Sequence, residues 1–465
     1  MLVLLSQTHY PYKPLVTARG SKHTPFHDRL KAAGAQFSDV SGWEVPDWFG
    51  DADGLSAKEI CAQRNDTSAM LLAKDNNEPV YEWNAPYFFG NWQREHQACR
   101  EGVALIDMSF MAKFIVQGRD AGVALNRLCT ADINGAVDTI TYTQILNEDG
   151  CLEGDVTVCK LSSEKFLVIA TDTMHRHVDT WLQRQLDPCA SKHVFHSDVT
   201  GGYAQLNIQG PLARQVMIQL TDTDMSHEAF PFRKAKSIAI GLTTVLCARI
   251  TYVGELGYEL HIPAEHALTV YDQVTLAGKD FGLQPAGLKA LSSLRMEKAY
   301  RDYGHDMDNL DSLLEVGLGF TADVHKEGGF IGKEHVVKQK ADLKANKGLS
   351  RRLIQVLVTE NPTVMLYHGE VLWRNGVRVG DVRAASYGHT LGGAVGLGMV
   401  EGIEASSACD KEGGGGGGGE GGERVMVNKS FLQEGVWEVE VGNQKYPIRV
   451  SLTPMYDPKN LKIKA

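Results

Sequence analysis

The run Glu153-Gly154-Asp155-Val156-Thr157-Val158-Cys159-Lys160-Leu161, followed by Ser162-Ser163-Glu164-Lys165 and then Phe166-Leu167-Val168-Ile169-Ala170, reads as two strands joined by a short polar hairpin. Beyond it, Met174, Val178, Trp181 and Leu182 recur at helical spacing, which predicts a helix lying over the sheet that the hairpin begins. Ahead of the hairpin the same reading gives a helix at 91–102, a strand at 113–116 and a helix at 120–129. After it come a strand at 203–208, a helix opened by Pro211, strands at 243–251 and 258–262, and helices at 265–276 and 285–298. This β-α-β-β-α order predicts an α+β fold of split antiparallel layers with helices on one face, in place of a doubly wound parallel sheet.

The flanks differ in character. Residues 24–49 read as a short helix and a turn-rich segment carrying Trp43, Pro46 and Trp48, too little for a domain and expected to dock on something larger; residues 51–77 read as a polar connection. From 351 onward, short strands alternate with Gly, Asn, Asp and Pro and no long helix is expected, which predicts a small β-barrel. Its glycine run, 413–422, is expected to be a disordered loop. The resulting organisation is an N-terminal segment at 1–77, an α+β region at 78–345 and a barrel at 350–465.

At 465 residues and 43% hydrophobic composition, the chain can bury more than one core. Its 47 basic residues against 57 acidic ones, a net −10 mixed along the chain, argue against an electrostatic nucleic-acid or membrane binder. The eight cysteines form no C-x-x-C pair and no zinc-ligand spacing, so reduced thiols and no metal are expected. No apolar run is long enough for a membrane span, and the acid-free stretch 1–27 has only a weak organelle-targeting composition. Neither Gly317-Leu318-Gly319 nor Gly396-Leu397-Gly398 has the strand-to-helix context of a dinucleotide site, and no G-x-S-x-G, P-loop or H-E-x-x-H occurs.

Chemistry therefore falls on acids in strands. Strand alternation places Asp155, Thr157 and Cys159 on one face and Val156 and Val158 on the other. Aspartate is disfavoured inside a strand; there it serves either as a bulge or cap residue, or as a partly desolvated carboxylate able to act as a general base. In Tyr252-Val253-Gly254-Glu255-Leu256-Gly257-Tyr258-Glu259-Leu260-His261, a Gly-assisted turn leads into a strand with Glu259 and His261 opposite Tyr258 and Leu260. Glu259 either holds a cyclic N–H/NH₂ pair or pairs with a neighbouring Arg on a solvated face, and Tyr252 is either a core aromatic or a stacking platform.

Together with Ile106-Asp107-Met108-Ser109, Leu146-Asn147-Glu148, Ile208-Gln209-Gly210-Pro211 and Gly328-Gly329-Phe330-Ile331-Gly332-Lys333-Glu334, these segments resemble the aminomethyltransferase (glycine-cleavage T-protein) family. Three further words resemble the C-terminal portion of sarcosine and dimethylglycine dehydrogenases: Thr24-Pro25-Phe26-His27-Asp28-Arg29-Leu30 with Gly42-Trp43-Glu44-Val45-Pro46-Asp47-Trp48-Phe49; Leu372-Trp373-Arg374-Asn375-Gly376; and Asp457-Pro458-Lys459-Asn460. The resemblance implies a three-lobed arrangement, two α+β lobes and a C-terminal β-barrel, with tetrahydrofolate in the central channel. It further implies capture of an amine-derived one-carbon unit, released as an imine, as 5,10-methylenetetrahydrofolate.

By that resemblance Asp155 matches the catalytic aspartate that contacts the reacting folate nitrogens, Glu259 the pterin-binding glutamate, and Thr157 and Tyr252 ring-contact positions. FAD is expected only in an N-terminal half without counterpart here, or in a flavin-containing partner, with residues 1–77 as the remnant of that junction. A mitochondrial-matrix location follows from the same resemblance. Two other readings are a stand-alone aminomethyltransferase of the glycine cleavage system and a non-catalytic subunit resembling the regulatory subunit of pyruvate dehydrogenase phosphatase. Leu291 stands where stand-alone aminomethyltransferases carry Arg, which weighs against the first of these.

Overall fold

The computed structural model describes residues 11–15, 17, 19–50, 83–186, 193–404 and 423–464. The polar connection read at 51–77 and the glycine-rich loop at 413–422 lie outside these residues.

The first elements are strand β1 (Lys22–His23), helix α1 (His27–Ala32) and the hairpin of β2 (Ala35–Val40) with β3 (Trp43–Phe49). Helix α2 (Phe89–Glu101), β4 (Ala104–Asp107), β5 (Ala112–Gln117), α3 (Ala121–Leu128), β6 (Ile140–Leu146), β7 (Leu152–Ser162), β8 (Lys165–Ala170), α4 (His175–Gln185) and β9 (Phe195–Asp198) follow. Next come β10 (Tyr203–Gln209), α5 (Ala213–Leu220), β11 (Ala235–Ile240), β12 (Thr243–Ala248), β13 (Gly257–Pro263), α6 (Ala267–Gly278), β14 (Gln284–Pro285), α7 (Leu288–Glu297) and α8 (Lys333–Lys344).

Alternation decides which way each sheet faces. In the five-stranded sheet, ordered β6-β7-β8-β5-β9, the residues Phe114, Val116, Val156, Val158, Phe166 and Val168 point to one side and form a core with Leu125 of α3 and Val178 and Leu182 of α4. The six-stranded sheet, ordered β11-β12-β13-β10-β4-β14, does the same with Leu206, Ile208, Tyr258, Leu260 and Ile262 against Val216 and Met217 of α5 and Val270 and Val274 of α6. Each of these apolar side chains contributes about 1.5–3 kcal/mol by leaving water, so the helix-covered faces fix the register of both sheets.

The uncovered faces then turn toward each other. They touch where Ile115, Ile140, Leu167 and Ile169 meet Ala235 and Ala248, and the polar residues of both faces are left beside that contact. Gly210, in the turn after β10, shows how tightly the layers close: its φ is +131°, and a Cβ there would lie 2.4 Å from the Gly102 carbonyl oxygen.

The third lobe is a closed barrel of β15 (Arg351–Val358), β16 (Val371–Arg374), β17 (Val377–Gly388), β18 (Gly393–Glu401), β21 (Trp437–Val441) and β22 (Gln444–Ser451), in the order β15-β18-β17-β16-β21-β22, with the two-stranded ladder β19 (Ile403–Glu404) and β20 (Glu423–Arg424) beside it. Ile354, Val356, Val382, Val400 and Val439 form its own core. Leu353, Leu357, Val395 and Leu397 pack instead against Leu313, Leu314 and Leu318, which ties the barrel to the other two lobes. The fold is therefore α+β with a β-barrel lobe, as the element order implied.

One expectation needs correction: residues 34–50 are a regular hairpin instead of a turn-rich segment. Pro46 suggested the turn, yet it sits opposite Phe37, beside the register shift between Gln36 and Phe37, a bulge that tolerates proline. The hairpin docks as expected, with Val45 and Trp48 packed against Phe88, Trp92 and Ala290. The five cysteines among the described residues are all free. Among these residues no helix is long and apolar enough to cross a membrane.

Candidate functional site

Asp155 sits in the interior of β7, cross-strand from Gln144 on β6. Its Oδ1 accepts a hydrogen bond from Gln144 Nε2 at 2.8 Å and its Oδ2 one from the Tyr142 hydroxyl at 3.0 Å. It is a partly exposed carboxylate in a recess, with many protein atoms around it and some access to solvent. Burial pushes its pKa up to about 7; Gln144 and Tyr142 pull down, and the carboxylates of Asp302 and Asp306 push up again. A base poised near neutrality suits proton transfer, and the bulge or capping alternative drops out because both oxygens serve side chains across the strand.

Thr157 is two residues further on the same face, cross-strand from Tyr142 on one side and from Ile169 on the other. Ile169 in turn pairs with Lys113 of β5. This row crosses two strand spacings, about 10 Å, and ends at a fully buried ammonium. Lys113 Nζ donates to the carbonyl oxygens of Met111 at 2.9 Å and Ser109 at 3.1 Å. Burial lowers its pKa to about 7, while the carboxylates of Asp107, Glu259 and Asp198 oppose the fall.

Glu259 reaches the same space from the opposing sheet. Asn207 and Gln205, on neighbouring β10, donate to its two oxygens at 3.2 and 3.3 Å. Burial raises its pKa to about 7, and Lys113 and Asn207 work against that rise. No Arg pairs with it in the salt bridges of the described residues, so the solvated-pair alternative fails. Beside it His261 is held neutral, its pKa pushed down to about 3 by burial and then by Lys113. Both ring nitrogens of His261, Gln205 Oε1 and both amide atoms of Gln209 are buried without a hydrogen-bond partner in the protein. Orphaned groups of this kind cost about 1–3 kcal/mol each, and clustered about a carboxylate they fit a polar heterocycle offering both donors and acceptors.

Tyr252 is half-buried in the turn before β13. Its hydroxyl donates to the Arg301 carbonyl at 2.7 Å and its ring stacks on Tyr300, 5.9 Å between centroids. Burial holds its hydroxyl well above the usual range, the carboxylates of Asp302 and Asp306 add to that against the pull of Arg295, and Asp155 adds a smaller push. Of the four residues singled out from sequence, Asp155 and Thr157 thus lie on the uncovered face of one sheet and Glu259 on that of the other, while Tyr252 stands in the turn before β13 within electrostatic reach of Asp155. The sequence reading missed Tyr142, Gln144, Lys113, Gln205 and Asn207; for the last two, the polar alternation Gln205-Leu206-Asn207-Ile208-Gln209 within a strand was an available signal.

Two carboxyls with folded pKa values near 7 and unfolded values near 4 bind more protons folded than unfolded between those pH values. Their contribution to stability therefore falls as pH rises from about 4 to about 7 and stays lost above it. Asp155→Asn and Glu259→Gln are each expected to raise the unfolding temperature at neutral pH, with the gain vanishing near pH 4, as read by scanning calorimetry.

The sequence pattern of the GCVT N-terminal domain matches residues 26–326, and that of the glycine cleavage T-protein C-terminal barrel domain matches residues 351–457. The chain belongs to the glycine cleavage T-protein family. Within that family it is 33% identical over 458 residues to a 4-methylaminobutanoate oxidase (formaldehyde-forming) of Paenarthrobacter nicotinovorans, covering 98% of this chain and 48% of that one. It is 32% identical over 480 residues to mitochondrial sarcosine dehydrogenase of Mus musculus, again 98% and 48%. The chain spans about half the length of these relatives. The aminomethyltransferase T of the glycine cleavage system from Bartonella henselae has the same fold, with a TM-score of 0.69 at 19% identity over 94% of this chain and 99% of that one. The T-protein assignment accounts for both the three lobes and the barrel. Leu291, the departure noted in the sequence, is buried among Trp92, Ala290 and Leu294 as a plain core residue.

Proposed function

We propose that this T-protein module binds tetrahydrofolate between its two sheet lobes and captures on it a one-carbon unit derived from an N-methyl amine. The observation that carries the reading is that each of the two facing sheets supplies a carboxyl raised to about 7, Asp155 from one and Glu259 from the other, with the unpartnered polar groups of Gln205, Gln209 and His261 on the Glu259 side. Bound tetrahydrofolate would supply its pterin ring nitrogen N5 and its side-chain amine N10, which take up the unit as 5,10-methylenetetrahydrofolate while the demethylated amine leaves.

Glu259, braced by Asn207 and Gln205, accepts hydrogen bonds from a cyclic N–H/NH₂ pair. Tyr252 and Thr157 contact the ring. Asp155 takes the proton from a reacting nitrogen at its carboxylate, which Gln144 and Tyr142 aim. The resemblance carried by 24–49, 372–376 and 457–460 supports a sarcosine- or dimethylglycine-dehydrogenase-like oxidoreductase, and the two relatives, a 4-methylaminobutanoate oxidase and a sarcosine dehydrogenase, support the oxidoreductase class. In that setting a flavin held by another segment or a partner would supply the oxidising chemistry, and this module would receive the resulting imine. A mitochondrial-matrix location belongs to the same proposal, supported by the mouse relative being a mitochondrial protein.

The test is product analysis with the flavin-bearing oxidase activity present: demethylation of sarcosine or dimethylglycine is expected to yield 5,10-methylenetetrahydrofolate when tetrahydrofolate is added and free formaldehyde when it is not. Glu259→Gln, which removes a charge-assisted acceptor worth about 1.5–3 kcal/mol, is expected to weaken tetrahydrofolate binding about 10- to 100-fold. Free formaldehyde in equal yield with and without tetrahydrofolate would refute the proposal.

A further inference from the structure

The hydrogen bonds of Asp155 continue beyond its first partners. Gln144 is fully buried; while its Nε2 donates to Asp155, its Oε1 lies against the hydroxyl of Thr321. Thr321 belongs to the loop Gly317-Leu318-Gly319-Phe320-Thr321-Ala322, and its Oγ1 is also 2.7 Å from the Leu318 carbonyl oxygen. A hydroxyl has one proton, so it cannot donate to Gln144 and Leu318 at once. The two contacts are the two directions of a single chain.

In one direction Thr321 donates to Gln144 Oε1 and the Gln144 amide donates to an ionised Asp155. In the other, Thr321 donates to the Leu318 oxygen, the Gln144 amide, turned by half a rotation, donates to Thr321 Oγ1, and Gln144 Oε1 accepts the proton carried by Asp155. An amide offers its donor and acceptor at nearly interchangeable positions, so the reversal needs no backbone movement. Neither direction leaves a buried polar atom of the chain unpaired, and the Tyr142 hydroxyl can donate to Asp155 Oδ2 in both.

We infer that Gln144 and Thr321 are positioning residues that form a reversible hydrogen-bond relay, letting Asp155 gain and lose a proton with its partners satisfied in both states. The inference rests on Asp155 being the proton acceptor of the proposed reaction. The other groups facing Asp155 are Tyr142 from β6, Tyr252 from the turn before β13, and Arg301, Asp302, Tyr303 and Asp306 from the segment after α7. None of these is an amide able to exchange donor for acceptor. The carboxyl's position near neutrality, raised chiefly by burial, puts the reversal within working pH.

The test is a pH titration of the folded chain without folate, following ¹⁵N-labelled glutamine side-chain amides by NMR and the protonated Asp155 carboxyl by infrared spectroscopy. The Gln144 signal, assigned by its loss in Gln144→Met, is expected to move with the same midpoint as the Asp155 band and to stay still in Asp155→Asn. Gln144→Met, which removes a donor to the ionised form, is expected to raise the Asp155 midpoint by about one unit. Thr321→Val is expected to lower kcat about tenfold at unchanged KM for tetrahydrofolate, with Thr321→Ser restoring it. A Gln144 signal that ignores the Asp155 titration, or Thr321→Val matching Thr321→Ser in rate and midpoint, would overturn the relay. Because the titration contains no folate, that failure is separable from a failure of folate binding.

Discussion

Asp155→Asn is expected to slow one-carbon transfer to tetrahydrofolate by about 10²- to 10⁴-fold, the range a positioned general base contributes, with tetrahydrofolate affinity little changed. The amide keeps the size of the carboxyl and can still bond Tyr142 and Gln144, so what is lost is the capacity to hold a proton. In the wild-type protein the rate should rise with pH as Asp155 deprotonates through about 7. Single-turnover formation of 5,10-methylenetetrahydrofolate across that range checks both statements. A wild-type rate in Asp155→Asn would remove Asp155 from the chemistry.

The largest effect on stability is expected at Arg100. Its guanidinium is buried and donates to Glu255 at 3.0 Å, Glu297 at 2.9 Å and the Val253 carbonyl at 2.7 Å, with the Tyr456 ring 3.9 Å away. Glu297 also accepts the main-chain N–H groups of Thr390 and Leu391 at the barrel. Burial alone would push Glu297 up, but His96 and Arg100 outweigh it and hold the carboxyl below its usual range. One cation thereby joins α2, α7, the turn before β13 and the C-terminal tail. Arg100→Met would strand two buried carboxylates, and such losses cost about 3–5 kcal/mol. Urea unfolding followed by tryptophan fluorescence should show a shift of that size, and a smaller one in Arg100→Lys, which keeps the charge and loses the fork. A shift below about 1 kcal/mol in Arg100→Met would mean that the carboxylates find other partners or take up protons.

Strands with one helix-covered face were legible where apolar residues alternate, as in β7, β10 and β13, and β8 was legible as a short unbroken apolar run after a polar turn; with them Asp155 and Glu259 were placed from sequence. Strand β6 escaped. In Ile140-Thr141-Tyr142-Thr143-Gln144-Ile145-Leu146 both faces are buried, one toward the α3 and α4 core and the other toward the opposing lobe, so polar residues occur on both and no period of two survives. That strand holds Tyr142 and Gln144, and the immediate partners of Asp155 were lost with it. Lys113 was hidden for a related reason. A lysine at the start of a predicted strand reads as a solvated end, whereas here it is enclosed where two sheets meet and carries a depressed pKa. The carboxylates themselves gave themselves away by breaking strand propensity, while the groups that tune them look ordinary until the sheets are brought face to face.

The central claim, a tetrahydrofolate site between the two sheets governed by Glu259, is tested most directly by calorimetric titration of the folded chain with tetrahydrofolate at several pH values, alongside Glu259→Gln. The predicted result is one site per chain whose affinity rises as pH passes through about 7, where Glu259 becomes a carboxylate, and which Glu259→Gln weakens at every pH. Absence of binding by well-folded protein, or binding that Glu259→Gln leaves untouched, would contradict it.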